Sequence, residues 1–142
     1  MIILAYDHRG YNLMIEIKKY LDKIGEKYIE CASKEYDKGD NYAKFAIDGC
    51  EKILENKGTK GIFCCGTGIG ICMRANRFKG IRAGVCHDEK STFLARNDDD
   101  INVLVFAGNT MTARKARKMI DIFLHTDFEG GRHIDRLKLL DI

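Results

Sequence analysis

The chain has 142 residues, the length of one domain with a single buried core and too short for a second catalytic module. Its apolar share of 45% and charged share of 32% are those of a globular protein rather than a disordered or fibrous one. Net charge is +3, from 24 basic and 21 acidic side chains, so the balance selects neither nucleic acid nor an anionic membrane as partner.

In chain order, residues 1–5 are apolar before Tyr6, Asp7, His8 and Arg9 interrupt them, with no basic leader and no cleavage site, and the short run 2–6 reads as a first strand. No signal peptide is expected, and no stretch approaches the roughly 20 apolar residues that span a bilayer. The expected location is the cytoplasm. Leu13, Ile17, Leu21 and Ile24 recur at helical spacing and predict a first helix with one buried stripe. A weaker strand is expected at 27–30, then a second helix whose stripe is Phe45, Ala46, Gly49, Ile53 and Leu54. Further apolar runs at 61–65, 83–86 and 103–107 read as strands. Residues 89–97 and 112–125 read as helices and 135–140 as a short terminal one.

Strands apolar throughout and separated by helices fit a sheet covered on both faces. The expected class is α/β, a three-layer αβα sandwich with a five-stranded, mostly parallel, Rossmann-like sheet over residues 1–142 as one domain. In such sheets ligands bind at the carboxyl ends of the strands, where Asp7, His8 and Cys65 fall.

Six cysteines could suggest a disulfide framework, but such frameworks belong to short exported chains. Zinc is disfavoured as well: no Cys-x-x-Cys pair occurs, and Cys64 and Cys65 are adjacent, so no metal and no cofactor is expected. The exception among these thiols is Cys65, which heads Cys65-Gly66-Thr67-Gly68-Ile69-Gly70. This loop follows a buried strand and opens a helix, so its N–H groups can turn inward on an anion, and the same groups favour the thiolate, the form able to act as base or nucleophile. On residues alone Cys65 is either that base or the end of a strand. The loop is not a P-loop, since Gly70 is followed by Ile71 and Cys72 rather than by Lys and Ser or Thr. Its G-x-G-x-G spacing, on the third strand, is not a dinucleotide fingerprint either. Near the other end, Arg132 and Arg136 lie four apart after a Gly-Gly turn and could converge on a phosphate, or could merely face water.

Taken together, Asp7-His8-x-Gly10, the Cys65 loop with Ala75-Asn76, Gly80-Ile81-Arg82-Ala83, Asn102-Val103-Leu104 and Phe128-Glu129-Gly130-Gly131-Arg132-His133 resemble the ribose-5-phosphate isomerase B family over essentially the whole chain. Galactose- and allose-phosphate isomerases are its relatives. The resemblance implies a cofactor-free interconversion of a phosphorylated aldose and ketose through an enediolate. Cys65 matches the base. Thr67 and the N–H groups of Gly66, Gly68, Ile69 and Gly70 match an anion hole, and Asp7 matches a group that handles the sugar oxygens. His8, Arg132 and Arg136 match phosphate ligands, and Tyr42 matches a substrate contact. The resemblance also implies a homodimer, or a tetramer of dimers, whose active sites draw residues from two subunits.

Several positions depart from the family pattern. Asp98 stands where the family has its ring-opening histidine and Asp99 where it has a substrate-binding asparagine, and no second histidine-like acid is expected there. An aspartic acid ionises near pH 4 and an imidazolium near about 6.5, so at neutral pH the former is the poorer proton donor unless its surroundings intervene. Asn109 replaces an arginine and Asn41 an acid, while Arg9 occupies a usually small position and could compensate. Ribose 5-phosphate is the expected substrate. The alternatives are allose or galactose 6-phosphate, or a sugar-phosphate-binding protein without turnover. A cysteine phosphatase would need an arginine at position 71, which is isoleucine.

Overall fold

A computed structural model describes residues 1–141. Its elements are β1 (Ile2–Tyr6), α1 (Tyr11–Ile24), β2 (Tyr28–Cys31), α2 (Tyr42–Glu55), β3 (Lys60–Cys65), α3 (Ile69–Ala75), β4 (Ala83–Val85), α4 (Glu89–Asp99), β5 (Val103–Ala107), α5 (Ala113–His125) and α6 (His133–Leu140). The five strands form one sheet in the order β2-β1-β3-β5-β4. Every pairing is parallel, so the sheet is wholly rather than mostly parallel, with Tyr6 opposite Cys64 and Cys65 opposite Ala107.

The central strands β1, β3 and β5 are almost entirely buried, as continuous apolar runs in a sheet covered on both faces require. Alternation along β3 divides the core. Ile62 and Cys64 join the side built on Leu13, Met14, Ile17, Met119, Ile120 and Phe123 of α1 and α5, whereas Phe63 and Cys65 join the side built on Phe45, Ala46, Cys50, Ile53 and Ile71 of α2 and α3. The adjacent cysteines therefore face opposite layers. The α2 helix lies close to the sheet because position 49 is glycine: a Cβ there would stand 2.8 Å from the Phe63 ring.

Two stripe residues expected to be buried are not, since Ile24 and Leu54 are exposed. Ile24 is the last residue of α1, next to the left-handed Gly25 cap, and Leu54 is the next-to-last residue of α2, so both sit in final turns where the helix runs past the sheet. The terminal helix begins at His133, two residues before the expected start, because the Gly130-Gly131 turn supplies carbonyls to the His133 and Ile134 N–H groups. Among the described residues no helix is long and apolar enough to cross a membrane.

Candidate active site

The chain passes from β1 to β2 on one side of β1 and returns to place β3 on the other, so the crevice beyond the carboxyl ends of β1 and β3 is the switch point of the sheet. A cavity of ≈ 610 Å³ opens there, lined by Asp7, His8, Arg9, Asp40, Tyr42, Cys65, Gly66, Thr67, Gly70 and Asn109. The expected residues Asp7, His8, Tyr42, Cys65, Gly66, Thr67 and Gly70 thus meet on one wall.

Each is held by a local cause. Asp7 is buried at the end of β1, and its Oδ1 accepts the Arg9 N–H at 2.9 Å, closing the turn into α1. Gly10 lets that turn sit on Cys64, since a Cβ at position 10 would lie 2.9 Å from the Cys64 sulfur and carbonyl oxygen. Cys64 is filler: burial pushes its thiol far above the usual range, so it stays protonated. Burial also raises the thiols of Cys31, Cys50, Cys72 and Cys86. Cys65 ends β3 with its carbonyl accepting the Gly108 N–H at 2.8 Å, and its side chain is the thiol at the pocket wall.

The loop that follows is shaped by glycine. Gly68, the N-cap of α3, has φ +76°, and a Cβ there would press on the Phe106 carbonyl at 3.1 Å. Gly70 makes room for Tyr42, whose ring would lie 2.6 Å from a Cβ at that position. One expected anion donor is already engaged: the Ile69 N–H donates to Thr67 Oγ1 at 3.2 Å, while the Ile69 side chain is exposed. Only seven residues long, α3 contributes a modest dipole, so nearby N–H groups dominate the field at the loop.

His8 is fixed by Asp40, a residue the sequence reading did not single out. Asp40 Oδ1 accepts from the His8 backbone N–H at 3.0 Å and lies 2.8 Å from Nδ1, while Ser33 Oγ donates to Oδ2 at 3.3 Å. The carboxylate keeps the proton on Nδ1, leaving Nε2 as the ring atom free to meet a ligand. Asn41 caps α2, accepting the Ala43 N–H at 2.9 Å. The loop from residue 32 to 41 has no repeating pattern, so only its pairing in space could reveal Asp40.

The remaining expected residues are elsewhere on the chain. Asp98, Asp99, Arg132 and Arg136 do not line the Cys65 cavity. Asp98 and Asp99 end α4, Arg132 is the N-cap of α6 and Arg136 lies within it, so in one chain these four stand apart from the Cys65 cavity. Asp99 instead lines a separate cavity of ≈ 630 Å³ beneath β4, with Ile81, Val85, Leu94 and Ile101. Positions 98 and 99 carry no histidine, but one from α6 comes close to Asp98. Buried His133 places Nε2 3.7 Å from Asp98 Oδ1 and 3.1 Å from Glu129 Oε2, and Arg136 Nη1 lies 3.3 Å from its Nδ1. A guanidinium only donates, so Nδ1 is the acceptor and the ring proton sits on Nε2, facing the two carboxylates. Asn97 Nδ2 donates to both, at 2.9 and 3.0 Å.

Two groups, Asp7 with His8 and Asp40 and Asp98 with Glu129 and His133, bring three potential ligand atoms within 4.8 Å of one another. In both, hydrogen bonds account for the approach of the carboxylates. Asp100, which follows Asp98 and Asp99, is structural: it joins Arg82 at 2.8 Å to Arg96 at 2.7 Å, and buried Arg96 also donates to the carbonyls of Ile101 and Thr126.

Fold and pocket define a doubly wound α/β protein whose switch-point crevice carries a thiol, a glycine loop and an oriented imidazole. The family described as Ribose/Galactose Isomerase matches residues 2–140, and the chain belongs to that family. It is 38% identical to the probable ribose-5-phosphate isomerase B of Mycoplasma pneumoniae, over 96% of this chain and 90% of that one. It is 34% identical to ribose-5-phosphate isomerase B of Escherichia coli, over 98% and 93%. Among solved structures, ribose 5-phosphate isomerase from Thermotoga maritima superposes with a TM-score of 0.94 at 35% identity, covering 99% of this chain and 96% of that one. The Mycoplasma genitalium enzyme, solved with bound ribulose-5-phosphate, gives 0.93 at 36% identity, covering 98% and 92%.

Proposed function

We propose that the chain is an aldose-ketose isomerase of a sugar phosphate, interconverting ribose 5-phosphate and ribulose 5-phosphate. The observation that carries this reading is Cys65 at the head of the glycine loop, in one crevice with Asp7 and His8. The named activities of the relatives and the ribulose-5-phosphate in one of them support it.

In the open-chain sugar the Cys65 thiolate takes the proton from C2. The C–H electron pair forms the C1–C2 double bond, and the carbonyl pair moves onto O1. Thr67 and the free loop N–H groups face this developing oxyanion, where aimed dipoles lower the barrier because they act on charge absent from the ground state. Asp7, within the same wall, relays the O2 hydroxyl proton to O1. The Cys65 thiol then returns its proton to C1 as the O2 electrons form the new carbonyl. His8 Nε2 binds the phosphate, and Tyr42 packs on the sugar.

Asp98, Asp99, Arg132 and Arg136 complete this pocket from a second copy of the chain, as a homodimeric unit. Exposed Ile69 and Met73 on α3 and Phe93 on α4 offer the apolar surface such a pair would bury. In this arrangement Asp98, backed by the His133 proton, serves ring opening, and Asp99 meets a hydroxyl.

Replacing Cys65 by alanine should abolish exchange of the C2 proton with deuterated solvent, followed by NMR on ribose 5-phosphate; retained exchange would refute the mechanism. Mixing inactive Cys65→Ala and Arg136→Ala chains should regenerate activity in hybrid dimers. No recovery, or a fully active monomer in sedimentation, would refute the shared site. Turnover of ribose, allose and galactose phosphates side by side fixes the sugar.

A further inference from the structure

We infer that Arg9 is the pocket's own phosphate-recognising cation, and hence a residue that sets its preference for phosphorylated sugars; this rests on the proposed isomerase reading. Arg9 follows His8 in the turn between β1 and α1, and its backbone is pinned by the N–H donated to Asp7 Oδ1. Its side chain runs across the glycine loop: a Cβ at Gly66 would lie 2.7 Å from Arg9 Cδ, so the absence of a side chain at 66 creates the channel the arginine occupies. Among the described residues no carboxylate lies within 4.0 Å of its guanidinium, in contrast to Arg82 and Arg96, which are both paired. An exposed guanidinium at the wall of a site, with its five donors unused by the protein, suits bidentate binding of a phosphate dianion.

The rest of this chain's own wall offers a dianion little else, before Arg132 and Arg136 of a second copy complete the pocket. Asp7 and Asp40 bring two carboxylates to the cavity, and Asp40 is engaged by His8. Arg9 and His8 are the cavity's only basic side chains, and Arg132 and Arg136 do not line it. Within one chain a dianion in this crevice is therefore met by Arg9 together with His8. Asn109 approaches the same glycine, its Nδ2 3.1 Å from the position of a Gly66 Cβ. A guanidinium placed at 109 would reach the space that Arg9 now serves.

The test uses the full-length chain with ribose 5-phosphate as substrate and inorganic phosphate as competitive inhibitor. Arg9→Met, which keeps the apolar stem, should raise KM and the phosphate inhibition constant together by about ten- to a hundredfold, with kcat changed far less. Arg9→Lys should fall between, since it restores the charge without the fork. Adding Asn109→Arg to Arg9→Met should recover much of the lost affinity. Unchanged KM and inhibition constant in Arg9→Met would overturn the inference while leaving the isomerase reading intact. A loss of kcat with no change in phosphate affinity would also overturn it, assigning Arg9 to loop packing. Wild-type chain that neither turns over nor binds any sugar phosphate would overturn the isomerase reading itself.

Discussion

Two glycines of the Cys65 loop, two residues apart, should respond oppositely to the same added methyl group. At Gly68 the backbone is left-handed, φ +76°, and the obstacles to a Cβ are the Phe106 carbonyl oxygen and Val85 Cγ1, both 3.1 Å away. Phe106 is fully buried in the central strand β5 and paired with β3, so it cannot give way. Alanine in that conformation costs roughly 1–2 kcal/mol, crowding adds about 1, and the stiffer unfolded chain returns about 0.5–1. The net loss is about 2 kcal/mol, a fall in Tm of roughly 6–8 °C for a chain of this size. At Gly70 the backbone is helical, and alanine gains about 0.5–1 kcal/mol of helix propensity. The nearest obstruction there is the far end of the Tyr42 ring, and that residue is 38% exposed and free to swing out. Gly70→Ala should therefore hold wild-type stability within about 1 kcal/mol while displacing Tyr42, and KM for the sugar phosphate should rise. Urea unfolding of both variants, read beside their kinetics, decides the matter. A Gly68→Ala midpoint equal to wild type, or a Gly70→Ala loss as large as that of Gly68→Ala, would refute the assignment of strain to backbone at one position and to a movable side chain at the other.

Asp40→Ala leaves the His8 N–H and Nδ1 without their acceptor and should cost about 2–3 kcal/mol in urea unfolding, whereas Asp40→Asn, which keeps an acceptor oxygen, should cost about 1. Equal losses would mean the hydrogen bonds are not what Asp40 contributes. Burial pushes the Cys50 thiol up to about 12 and that of Cys86 up to about 11, against about 8.5 for an unfolded cysteine. The unfolded chain therefore releases these protons first, so their stabilising contribution is complete below about pH 8.5 and is lost as pH rises toward 11–12. Urea unfolding between pH 8.5 and 10.5 should show a decline that is shallower in Cys50→Ala by roughly 2 kcal/mol over the interval, and an unchanged slope would contradict the burial argument. Cys64→Ala should leave C2 proton exchange intact while lowering stability, the reverse of Cys65→Ala; if Cys64→Ala loses exchange, the division of β3 between two layers does not separate filler from base.

What the sequence made legible follows its periodicities. Continuous apolar runs identified β1, β3 and β5, because strands buried on both faces need no polar alternation, and the order of strands and helices implied parallel pairing. Periodicity overreached at Ile24 and Leu54, since a stripe continues in the residue pattern after the helix has left the sheet that covers it. Within the site, residues beside their strands were readable because the switch point brings together segments with strong local signals: Asp7 and His8 after β1, and Cys65 and its glycines after β3. Asp40 was not, because its role comes from a contact 32 residues away along the chain. The same holds for His133, which reaches Asp98 only when α6 packs on α4.

That last contact places an imidazole beside Asp98. Half-buried Asp98 takes a hydrogen bond from Asn97 at Oδ1, which lies 3.7 Å from the Nε2 of a buried imidazole whose proton is directed by Arg136. If Asp98 works through this imidazole, replacing His133 by glutamine, which retains a donor but cannot exchange its proton, should slow turnover of the ring-closed sugar and leave the open-chain analogue unaffected. Equal slowing on both forms would instead make His133 a strut between α4 and α6. The two outcomes separate chemistry from architecture at Asp98.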